Sequence, residues 1–171
     1  AEGWERFHDG QYREAVECFA AAEVANPADP QAAIGTVFAA VADRSGALAD
    51  SVLERLLARG TGVFAMELDV RTKLADPELI TQRVANVSRM ARQNLDAVSL
   101  QAMSAFLLWF TGQHDEALRV ADRIHEKDRT SAYAPLAAQM RGESPPPQSD
   151  GVTNNLNGLT PLASQRGKDG L

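Results

Sequence analysis

Residues 10–25 read GQYREAVECFAAAEVA and residues 112–127 read GQHDEALRVADRIHEK. The phrase Gly-Gln-x-x-Glu-Ala occurs twice, each time opening an amphipathic helix. Gly10 and Gly112 stand 102 residues apart. That is three steps of about 34 residues, a period at which pairs of helices stack into an array. A chain that keeps this period can only bury its apolar stripes by stacking one pair on the next.

The middle of the chain tests the period. Steps of about 34 from the first phrase carry Ala15 to Ala49, Arg83 and Ala117. The same steps carry Phe19 to Leu53, Val87 and Ala121, and Ala22 to Leu56, Met90 and Ile124. Arg83 alone of these is not apolar, and its neighbour Val84 is placed to take over the inward role. Within each frame the positions follow i, i+4, i+7, which is one face of an α-helix.

Prolines and glycines punctuate the helices. The first helix ends at Asp9-Gly10, and its partner runs from about Tyr12 to Ala25, stopped by Asn26-Pro27. Pro30 suits the first turn of a helix over about 31–43. A helix over about 48–58 ends at Gly60. Residues 60–75 alternate Phe64, Met66, Leu68, Val70 like a strand, but nothing offers such a strand a partner. A short irregular helix is expected there. Asp76-Pro77 starts a helix to about Gln93, with Asp as N-cap. Asp96 or Ser99 opens the next, ending near Thr111-Gly112, and another spans about 114–127. Residues 131–141 are expected to form a capping helix, bent or broken at Pro135.

The residues GQYREAVECFAAAEVANP resemble the second helix of a tetratricopeptide repeat. They share its Gly-x-Tyr turn, small Ala, aromatic and closing Asn-Pro. GQHDEALRVADRI resembles the same half-repeat, with His114 in place of Tyr12 and no closing proline. The stretch ADPELITQRVANVSRMARQN is similar to divergent bacterial repeat proteins. The resemblance covers about residues 1–141. It implies an all-α, right-handed solenoid of antiparallel helix pairs, about three to four repeats. It also implies that the first helix of each pair lines a concave groove for a peptide or a partner's helix.

Carried onto this chain, that groove holds Trp4, Phe38, Phe106, Trp109 and Phe110. Aromatic side chains on such a face are the residues that dominate interfaces, while apolar stripes at helical spacing also serve as core. The positions that clamp acidic chaperone tails in some relatives are apolar here (Trp4, Ile34, Phe38, Ala102, Phe106), so an apolar peptide or helix is the expected partner. The expected function is a non-catalytic protein-interaction module. The alternative is a packing or self-association segment of a larger protein.

Composition excludes several other classes. The net charge of −6 and pI of about 5.1 leave no basic face for nucleic acid. The longest nearly apolar run, AAIGTVFAAVA, falls short of the roughly 20 residues a membrane helix needs. Cys18 is the single cysteine, so no intrachain disulfide is possible. His8-Asp9 and His114-Asp115 are the most tempting metal ligands, but they fall in turns three periods apart, where ligands do not converge. Phosphate loops and nucleophile elbows have no counterpart here. No enzyme activity, metal or cofactor is expected.

The chain opens AEGWERF, without Met, and its first helix has little room before Gly10. A segment of a longer protein, or a mature form with its leader removed, is expected. From Gly142 the composition turns to Pro, Gly, Ser and Asn. Residues 142–171 are expected to be a disordered tail, because they cannot bury enough surface to offset chain entropy.

Overall fold

The computed structural model describes residues 2–60 and 62–143. All regular structure among them is helical: α1 (Glu2–His8), α2 (Tyr12–Ala25), α3 (Pro30–Ala42), α4 (Gly46–Ala58), α5 (Pro77–Gln93), α6 (Val98–Trp109), α7 (His114–Lys127) and α8 (Leu136–Met140), with a short 3-10 helix at Val70–Lys73. Each helix packs on the next in sequence from α1 to α4 and from α5 to α8. No helix among the described residues is long and apolar enough to cross a membrane. The expected tail lies, from residue 144 on, outside the described residues.

The ends of the helices follow from local chemistry. Asp29 and Asp76 each cap a helix that begins with proline, accepting from the Gln31 N–H at 2.9 Å and the Glu78 N–H at 3.0 Å. Four helices close with the same paired backbone hydrogen bonds, in which a residue just beyond the cap takes left-handed φ. Gly10, Gly112 and Gly142 fill that position at φ 76°, 76° and 71°; after α3 it is filled by Arg44, at φ 63°.

The core is built on α3 and α6. Every residue of α3 from Ala32 to Ala42 is buried, and so is every residue of α6 from Gln101 to Leu108. Both helices are apolar all round, the pattern of a helix enclosed on all sides. The outer helices present one stripe each. In α4 it is Ala49, Val52, Leu53, Leu56 and Leu57; in α7 it is Ala117, Val120, Ala121 and Ile124. These stripes hold the residues that the period marks, so the second and fourth frames bury all three marked positions.

The first and third frames depart from that pattern. Ala22 is exposed, because the stripe of α2 reduces to Ala15 and Phe19 near the chain's N-terminal edge. On α5 the inward stripe is Ile80, Val84, Ser88 and Ala91. Val84 has taken the inward place, Arg83 and Val87 are half-buried, and Met90 is 49% exposed. The reason lies in the preceding segment. Where a regular array would put the third first-helix, residues 62–74 form turns and the 3-10 helix, and they bury Val63, Phe64, Val70 and Leu74 elsewhere. The expected short irregular helix is thus confined to Val70–Lys73.

The C-terminal stretch crosses back to α4. The Tyr133 hydroxyl donates to Asp50 at 2.6 Å, and the Gln139 side chain donates to the Leu57 carbonyl at 3.1 Å. Pro135 stands just before α8, so the expected break at that proline is where helix begins.

Candidate functional site

Phe38, Phe106 and Phe110 do not line an open groove: all three are 0% exposed. The repeat resemblance implies a concave surface for the helices that carry them. In this fold α3 and α6 are interior, so their aromatics meet one another instead. Phe38 lies 6.2 Å from Phe106, and Phe106 lies 4.9 Å from Phe110, centroid to centroid.

The 62–74 segment completes that cluster. Phe64 packs edge-on to Phe106 at 6.1 Å and to Trp109 at 5.7 Å, and it stacks on Phe110 at 5.9 Å. The Val70 N–H donates to the Phe110 carbonyl at 2.9 Å, pinning the segment to the end of α6. Asp69 stabilises the turn between them by accepting from both the Arg71 backbone and its guanidinium, which holds its carboxyl below the usual range. The aromatic face is therefore already filled by the chain itself.

The two tryptophans remain half-buried, each beside an open cleft. Trp4 packs edge-on to Phe7 at 5.7 Å and Phe19 at 4.8 Å. Its cleft, about 680 Å³, is bordered by Glu14, Glu17 and Cys18 of α2 and by Gln31 of α3. Trp109 lies 4.5 Å from the His114 ring and borders a cleft of about 430 Å³ with Met66 and Leu68. Of the five aromatics read from the sequence, these two stay accessible.

The chemistry-bearing residues stay apart. His8 ends α1, the His114 ring lies on Trp109, and the His125 ring nitrogen Nδ1 is 3.2 Å from the Ala134 carbonyl. Among the described residues no three His, Cys, Asp or Glu side chains converge as a metal set would. Glu116, in the first turn of α7, pairs with Arg92 at 3.1 Å.

Sequence reasoning missed a third cleft. Arg83, Val87 and Met90, the marked positions of the third frame, face a gap between α5 and the first turns of α4 and α6. The break in the apolar pattern at Arg83 was the available signal. Without the path of residues 62–74, it points only to Val84 as the inward residue.

No family model, curated protein or solved structure matches the chain.

Proposed function

We propose that the chain is a non-catalytic protein-interaction module built from tetratricopeptide-like helix pairs. The observation that carries this reading is the pair of half-exposed tryptophans, each on the rim of an open cleft. Tryptophan combines a large apolar area with little entropy to lose, which makes it a strong interface anchor. An apolar peptide or partner helix is the ligand such rims suit. The helix pairs supply a rigid frame for them, with Phe19 and Phe64 as the supporting surfaces.

Trp4→Ala and Trp109→Ala in the full chain test the reading, because neither removes a fully buried side chain. A partner retained by the parent chain and lost from either variant, with circular dichroism unchanged, is the expected result. A partner held equally by both variants would sink it. Phe106→Ala is unsuitable, since truncating a fully buried phenylalanine costs about 3–5 kcal/mol by itself.

A second reading is favoured by the filled aromatic face: the domain is a packing or self-association unit. Phe64 occupies the surface that a peptide-binding array would leave open. Light scattering over a range of concentrations separates the two. A mass that rises with concentration supports association, and a constant monomer mass leaves the tryptophan rims as the working surface.

A further inference from the structure

The cleft at α5 carries a more specific chemistry. It encloses about 500 Å³, within the range of small-molecule sites. One wall is apolar: Val41, Val87, Leu100 and Met103, with Met90 at the rim. Two cations also line the cleft, the exposed Arg44 and the half-buried Arg83. Among the described residues neither makes an ion pair, and the Arg83 Nε is buried without a hydrogen-bond partner. A buried N–H of a charged group left unpaired is costly unless something accepts from it.

The backbone adds to the lining. Gly46 and Ala47 of α4 and Ser99 and Leu100 of α6 line the cleft. Each pair belongs to the first turn of a helix whose N-cap side chain makes no capping hydrogen bond. Free N–H groups and the positive ends of two helix dipoles therefore border the cleft. Asp50 also lines it, but one carboxylate oxygen already accepts from the Tyr133 hydroxyl. Two guanidinium groups against one carboxylate leave a single positive charge, which matches a monoanion.

Arg44 occupies the cleft at a conformational cost. It holds the left-handed position after α3 that glycine fills after α1, α6 and α8. A side chain there is strained where glycine is not, and such strain is retained where a site needs it. Glycine would satisfy the turn but would supply no cation to the cleft.

We propose that this cleft binds a single-chain amphiphile with an anionic head, a medium-chain alkyl carboxylate. Its carboxylate is held by Arg44 and Arg83, and its chain lies along Val87, Met90, Leu100 and Met103. The guanidinium groups make charge-assisted hydrogen bonds to the head, and the flexible methionines accommodate the chain.

Calorimetric titration of the full chain with decanoate, below its micelle concentration, tests this. The expected Kd is on the order of 100 μM or tighter, reasonable for a ligand of this size. Decyltrimethylammonium, with the same chain and the opposite charge, is expected to bind at least about tenfold more weakly, since like charges repel in the cleft. Amide shifts in NMR spectra should localise to residues 44–50, 83–90 and 99–103. Arg83→Gln should weaken decanoate binding about tenfold, the loss of one charge-assisted contact. Arg44→Gly should weaken it too while raising the Tm by about 3 °C, because the turn strain is relieved. That opposition of stability and binding keeps the test valid if the Arg83 variant fails to fold. Equal affinity for the two amphiphiles, shifts elsewhere, or unchanged decanoate affinity in either folded variant would overturn the proposal.

Discussion

Single residues set how closely the helices approach. Phe19 is the clearest case: a Cβ built on Gly3 of α1 or Gly35 of α3 would stand 2.6 Å from its ring. Three helices meet on that ring, so it cannot move aside. Gly35→Ala should therefore cost about 2 kcal/mol or more through overpacking, visible as a lower midpoint in urea. Ser88 and Ser104 give a different test. Their hydroxyls lie 2.9 Å apart, buried between α5 and α6. Replacing one by alanine strands the other and should cost about 1–2 kcal/mol, while replacing both should cost less than the two single losses combined. A double-mutant cycle measures that directly. Phe19 was legible as a core residue from its place in the repeat. The glycines opposite it were not, since a single sequence does not show which neighbour a glycine admits.

Element boundaries were the most legible level. Tyr12–Ala25, Pro77–Gln93 and His114–Lys127 stand where the punctuation put them, because proline, glycine and capping aspartate act within a few residues. What the sequence left open was residues 60–75. The alternating apolar residues look like a strand, a strand has no partner there, and a short irregular helix is the expectation; nothing local says where such a segment travels. Its path decided the candidate site, filling the aromatic face and leaving Arg83, Val87 and Met90 of α5 on an open cleft. Phe64→Ala should cost about 3–5 kcal/mol and raise hydrogen exchange at Val70, whose N–H is held on Phe110. If exchange at Val70 stays slow, the segment is fixed by its backbone rather than by that ring.

At the scale of the whole molecule, the contact between Tyr133 and α4 joins residues far apart in sequence. Burial, reinforced by the Asp50 hydrogen bond and the nearby Glu54 charge, pushes the Tyr133 hydroxyl far above the ordinary tyrosine range. The unfolded chain loses that proton first, near pH 10. The contribution is thus complete below about pH 10 and declines as the pH rises beyond it. Tyr133→Phe should lower stability at pH 8 and flatten its decline above pH 10 in denaturant titrations; Tyr12, also raised, keeps a part of that decline. A parallel decline in the variant would exclude Tyr133 as a source. The all-helical class was legible in the sequence. This long-range tie was not, because residues 131–141 suggested only an end cap.

That tie also governs how the molecule gives way under load. An array in which each pair touches only its neighbours peels apart from one end in small steps. Here residue 133 is fastened to residue 50 and residue 139 to residue 57, so a pull on the two ends meets a closed loop. In an optical trap the chain should yield in one large rip, and cutting the fastening should convert it to a staircase.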